Sequence, residues 1–206
     1  MATLLFTTLG TMLGGPLGGV IGALAGRQVD SLVFRPGPRE GPRLAELSAS
    51  TSSYGLAIPR QFGRMRVAGQ IIWATDLVEH REKQGGGKGK PSTTTYSYTA
   101  SFAVALSSRK VLSVGRIWAD GKLLRGAAGD LKTGGTMRLY TGEGDQAPDP
   151  LIEAAEGTDR CPAWRGLAYA VFEDLQLADF GNRIPALTFE VVADEAALSV
   201  AELLAG

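Results

Sequence analysis

The sequence predicts a mainly β protein: a β-barrel or sandwich with one or two short helices, preceded by a glycine-rich N-terminal segment that is helical or extended. Three observations lead there. Beyond residue 50, apolar residues alternate with polar ones in runs dense in Thr, Tyr, Phe and Val, punctuated by Gly, Pro and Asp; this is the pattern of half-buried strands and turns. The first 26 residues carry seven glycines and no charged side chain. Between the two regions, "RPGPREGPR" (Arg35 to Arg43) stacks three prolines. The expected division is therefore 1–34, a glycine-zipper segment; 35–50, a linker; 51–193, the β domain; and 194–206, the start of a further helix or domain.

Composition narrows the function classes. A chain of 206 residues that is 44% hydrophobic can bury one sizeable core. Lys+Arg and Asp+Glu balance at 21 each, so no global field draws nucleic acid or an anionic membrane. The single cysteine, Cys161, excludes an intrachain disulfide and a multi-cysteine metal site. One histidine, His80, leaves a zinc site or a Ser-His-Asp triad almost nothing to draw on. No cofactor, metal or catalytic residue is expected.

In the N-terminal segment, Gly14, Gly18, Gly22 and Gly26 recur every four residues and so share one helix face. Such small-residue faces let helix backbones approach closely, and the leading expectation is a glycine-zipper helix packed against other copies or partner chains. A secretory signal is hinted at by Ala23-Leu24-Ala25, but no Lys or Arg precedes Arg27 and Pro16 breaks the apolar run. A membrane span has the length, weakened by the seven glycines and the proline. The prolines of 35–43 fix φ and remove donors, which makes an extended spacer.

"RMRVAGQIIWATDLVEHRE" and "TTTYSYTASFAVAL" read as strands, with Tyr96, Tyr98, Ala100, Phe102 and Val104 on one face at period two. The intervening "EKQGGGKGKPS" predicts a long hairpin with a mobile basic tip, and Arg81, Lys83, Lys88 and Lys90 are candidate partner contacts. A phosphate-binding reading of this loop fails. Aligned on Gly89-Lys90, Gln84 stands where the P-loop needs its first glycine and Pro91 where it needs a hydroxyl, and a strand follows instead of a helix.

"VLSVGRIWADGKLLRG" predicts two strands joined at Asp120-Gly121, a pair that tolerates the positive φ of a tight hairpin turn. In "MRLYTGEGDQAPDPLIEAAEG" a strand and an acidic loop lead to a short helix, with Asp149 as cap and Pro150 in the first turn. Glu153 and Glu156 share a face of that helix. A carboxylate pair can perform acid–base work, and an enzyme using Glu153, Glu156, Glu173 or Asp174, such as a two-carboxylate glycan hydrolase, is one rival reading. Asp145 and Asp149 lack the glycine and bidentate glutamate of an EF-hand loop.

The last strands are read at Leu167 to Phe172 and Leu187 to Val192, with "EDLQLADFGNRI" between them. Its Asp-Phe-Gly invites a kinase reading, but no His-Arg-Asp precedes it and no Ala-Pro-Glu follows. Asp179 and Asn182 instead fit a turn, their side chains satisfying backbone donors, with Gly181 permitting unusual φ.

The string "PAWRGLAYAVFEDLQLADFGNRIPALTFEVV", with "RIWADGKLL", "LYTGEGDQAPDPLIEA", "YGLAIPRQFGRMRVAGQIIWA" and "GGVIGALAGRQVDSLVF", resembles the tail-hub (baseplate hub, tail-tip attachment) proteins of long-tailed phages and gene transfer agents. The likeness covers nearly the whole chain; the block from Gly166 to Glu190 is its most specific part and the glycine zipper its weakest. It implies a tail-tube-like β-barrel module forming a homotrimeric ring at the distal end of the tail, within a virion or phage-like particle made in the bacterial cytoplasm. It also implies partners: the distal tail protein above, other tail-tip or fibre proteins below, and DNA passing through the lumen without being read. Such proteins are usually much longer, so this chain is expected to be the N-terminal piece of a larger hub or a split version of one. The alternative reading is a membrane-anchored bacterial β-domain protein with residues 1–26 as the span.

Overall fold

A computed structural model describes residues 2–33, 39–41, 56–85 and 92–194. The chain divides into two compact units, residues 1–43 with 81–96 and residues 44–80 with 97–206.

In the first unit, helix α1 (Ala2–Val33) is broken by non-helical Gly14 and Gly15 just ahead of Pro16. Gly15 adopts φ 61°, ψ −154°, a conformation open essentially to glycine alone, and the chain reverses there. Strand β1 (Arg39–Glu40) pairs in parallel with Thr93 and Thr94 of β5 (Thr93–Ser107), and Gly41 N–H donates to Thr94 O at 2.9 Å. The stretch read as a pure spacer thus contributes two residues to a sheet; its other residues lie outside those described.

Eight further strands are β2 (Arg64–Ala68), β3 (Gln70–Ala74), β4 (Val78–Gln84), β6 (Ser113–Ala119), β7 (Lys122–Arg125), β8 (Thr136–Tyr140), β9 (Ala168–Gln176) and β10 (Leu187–Val192). One sheet runs β1-β5-β9-β8, with β3 and β4 also pairing β5; the other runs β2-β10-β6-β7. A seven-residue helix α2 (Pro150–Glu156) and a 3₁₀ turn at Ala178–Phe180 complete the second unit. The architecture is mainly β, with two antiparallel-dominated sheets, short helices and an N-terminal helical segment, as the strand patterning predicts.

One expected strand divides in two. "RMRVAGQIIWA" breaks at Gly69, so β2 joins one sheet and β3 the other. Gly69 donates its N–H to Leu187 O at 2.9 Å. An added Cβ would collide with Val104 and come within 2.6 Å of the Phe189 ring, so only glycine fits this corner.

The sheets close on Ala100, Phe102, Val104, Ile117, Phe172, Leu175 and Phe189, all buried. Phe102 stacks on Phe172 with centroids 5.1 Å apart, and Phe172 meets Phe189 at 6.3 Å. Each such side chain contributes roughly 2–3 kcal/mol by leaving water. Beginning at Tyr98, β5 is buried on both faces. On its other side Ala103, Ile152, Tyr169 and Val171 form a second cluster under α2, flanked by Trp73 and Trp164. Period two predicts only one buried face of β5; the second is buried because a helix 50 residues downstream in sequence covers it.

Candidate functional site

The glycines of the N-terminal zipper face the chain's own first arm. A Cβ on Gly18 would fall on the carbonyl of Gly10, on Gly22 on the carbonyl of Phe6, and on Gly26 on the backbone of Thr3. The arms 2–13 and 16–33 are therefore an antiparallel hairpin in backbone contact, and Gly14, with nothing within 4 Å of its would-be Cβ, belongs to the bend. Asp30 clasps the open end: its carboxylate accepts from Ala2 N at 2.8 Å, Thr3 N at 2.9 Å and the Thr3 hydroxyl at 2.5 Å. These are the orphan donors of a helix start. The threonine hydroxyls turn inward as well, Thr7 to Thr3 O at 2.6 Å and Thr11 to Thr7 O at 3.0 Å.

With its glycines used internally, the hairpin exposes Leu4, Leu5, Leu9, Met12, Leu13, Leu17, Val20, Ile21 and Leu24, up to 87% at Met12. An uncharged apolar surface of this extent marks a region that another surface covers. The four-residue spacing finds the face; nothing in it reveals that Gly10, Thr3 and Asp30 complete the contact.

Of the basic loop, Arg81 and Lys83 lie exposed on β4, where the Arg81 guanidinium is 3.9 Å from Glu40. Both groups are well exposed, and such a pair contributes little. Lys88 and Lys90 lie outside the described residues.

Asp120 (φ 48°) and Gly121 (φ 82°) form the two-residue turn between β6 and β7. The Asp120 carboxylate also accepts from Ala186 N at 3.0 Å and Arg183 at 2.7 Å, tying this turn to the loop before β10. Gly181 (φ 66°) and Asn182 (φ 57°) are left-handed, and Asn182 N–H donates to Leu177 O at 2.9 Å. The Asn182 side chain differs from expectation: its buried Oδ1 has no hydrogen-bond partner. Tolerance of positive φ, and not side-chain capping, accounts for asparagine there.

The carboxylates of the enzyme reading are distributed among structural contacts. Glu156 accepts from Trp73 Nε1 at 2.9 Å, and Glu173 from Arg138 at 2.5 Å. Asp174 N–H donates to the Ser101 hydroxyl at 3.0 Å. The charged residue most deeply placed is Asp149, fully buried. It caps α2 through Leu151 N at 2.9 Å and accepts from Arg138 Nε at 2.7 Å and Tyr140 Oη at 2.8 Å. Burial raises its pKa, but the bonds from Arg138, Tyr140 and Leu151 together outweigh burial and hold it below the ordinary carboxylate range. The same setting pushes the Tyr140 hydroxyl up to about 12, through burial first and then Asp149. Burial, with Glu153, Asp149 and Glu156 nearby, raises the Cys161 thiol, which keeps it protonated and a poor nucleophile. Among the described residues no three His, Cys, Asp or Glu side chains converge as metal ligands. This cluster anchors a helix to a sheet; the apolar hairpin is the candidate functional surface.

No protein-family model matches the chain, and no curated protein matches it. Among solved structures it is similar to a chain of the virion of a native gene transfer agent particle, with 41% sequence identity and a TM-score of 0.53. The likeness covers 93% of this chain and 40% of that one, so this chain spans two fifths of the length of the protein it matches.

Proposed function

We propose that this chain is a structural, non-enzymatic protein of a tailed phage or gene transfer agent particle, located at the distal end of the tail. In this reading three copies form a ring that joins the tail tube and distal tail protein to tip or fibre proteins, and DNA passes through the lumen unread. The observation that carries the reading is the 41% identity over 93% of the chain to a gene transfer agent virion chain. Two physical features support it. An apolar hairpin with its glycines already used calls for other chains to cover it, and the carboxylates are engaged in structural bonds instead of converging on a cleft.

Light scattering of the purified protein, alone and with the distal tail ring, tests it. A trimer, or a monomer recruited in three copies by that ring, is the expected result. A monomer indifferent to the ring overturns the hub role.

A second reading, a membrane-anchored β-domain protein, draws on the apolar segment Ala2–Asp30, whose mean hydropathy reaches 1.5. The bend at Gly14–Gly15 alters its geometry. The uncharged part of each arm, 2–13 or 16–26, is ~16–18 Å long, against ~30 Å for a bilayer core, so the segment as folded reaches about half-way and does not span. Recovery only in detergent, abolished by deleting residues 1–30, would favour this reading over the ring.

A further inference from the structure

A groove of about 600 Å³ opens where β2 and β3 part company at Gly69, walled by Leu56, Met65, Val67, Ala105 and Leu187. Along it runs the free edge of β2, which among the described strands pairs only with β10. Free edges are ordinarily blunted by charged side chains, prolines or bulges. The two arginines of β2 do not serve that purpose. Arg64 bonds Glu190 at 3.0 and 2.5 Å, while Arg66 bonds Thr188 at 2.8 Å and lies 4.0 Å from the Trp118 ring centre. Both are held across the face of the sheet by β10 and β6, so the edge keeps its open row of main-chain donors and acceptors. Beside it Met65 is 44% and Leu56 62% exposed, apolar walls at the rim of the groove.

From this we propose that the β2 edge accepts an extended segment of a different polypeptide as an added strand, its alternate apolar side chains seated against Leu56, Met65 and Leu187. Strand addition obtains affinity from main-chain hydrogen bonds and selectivity from pockets for every second side chain, and the groove supplies both. A five-residue strand covers ~17 Å, the length of β2. A second copy of this chain fits less well. The opposite end of the same sheet is closed, because Lys132 N–H donates to Leu124 O at 2.8 Å and Arg125 bridges Leu131, so copies cannot continue the sheet head to tail. Two β2 edges pairing with each other would be two-fold and close at a dimer. That the donor is another particle protein rests on the function proposed above.

The test uses purified particles in which Leu56 is replaced by a photo-crosslinking phenylalanine analogue. The expected product is a crosslink to one segment of a different particle protein with apolar residues at alternate positions. Met65→Glu should reduce that product at least tenfold and Met65→Leu should not, with thermal unfolding of the isolated chain unchanged in both. Crosslinking only to another copy, or no intermolecular crosslink in particles that contain the protein, overturns the strand-addition inference alone. Absence of the protein from the particles overturns the proposed function and this inference with it.

Discussion

At Asp149 one carboxylate starts a helix and receives two side chains from β8, so its removal has separable consequences. Asp149→Ala leaves the first turn of α2 uncapped and strands the Arg138 guanidinium, which is two-thirds buried. The expected loss is about 3 kcal/mol, read as a lower denaturant midpoint. The pH dependence follows from the direction of the shift. A carboxyl held below its ordinary value in the folded state contributes stability that is present above about pH 4 and is lost as pH falls through the depressed folded value. Wild type should weaken on acidification in that range, and Asp149→Ala should lack this component. Tyr140 runs the opposite way. Its folded value of about 12 lies above the ordinary 10.0, so its contribution is complete below pH 10 and disappears as pH rises toward 12. Near-ultraviolet titration should show a late-ionising tyrosine that Tyr140→Phe removes. The cap was legible in the sequence because Asp-Pro before an apolar run is a helix start. The burial of Asp149 was not: Arg138 is eleven residues away on a strand, and alternation identifies a strand's faces without saying which charge crosses to the next element.

Among elements, the N-terminal hairpin shows what a spacing rule can and cannot deliver. Four-residue periodicity correctly gives a helix with glycines on one face, but Gly14, Gly15 and Pro16 interrupt it and turn that face onto the chain's own first arm. The four zipper positions should therefore respond unequally to alanine. At Gly22 a methyl group would land on the Phe6 carbonyl, whereas at Gly14 it meets nothing within 4 Å and φ is −134°, which alanine accepts. Gly22→Ala should push the arms apart and Gly14→Ala should not. Electron-spin distance measurements between labels at the exposed positions Leu5 and Leu24 distinguish the two. Equal responses would mean that the glycine face meets other chains instead. The β elements were more legible: β10 falls at Leu187–Val192 as read, while β2 and β3 were fused because alternation continues through Gly69 and only close packing against Val104 and Phe189 shows the corner.

For the molecule as a whole, cohesion and association reside in different residues. The buried cores draw on positions from Val67 to Ala193 and on none of α1, whereas most of the large exposed apolar side chains lie between Leu4 and Leu24. A chain lacking residues 2–33 should keep the wild-type strand signal and thermal midpoint while losing self-association. Net charge is zero, with a pI near 6.6, so long-range repulsion does little to hold copies apart. Association driven by the apolar hairpin should then persist or strengthen with added salt, since screening acts on charges and the hairpin surface has none before Arg27. Sedimentation of the full and truncated chains across a salt series separates the possibilities. Full-length oligomers stable to salt beside a folded truncated monomer assign assembly to the hairpin. Salt-dissociated oligomers, or a truncated chain that still associates, would transfer that role to the charged strands of the β unit, Arg81 and Lys83 of β4 among them.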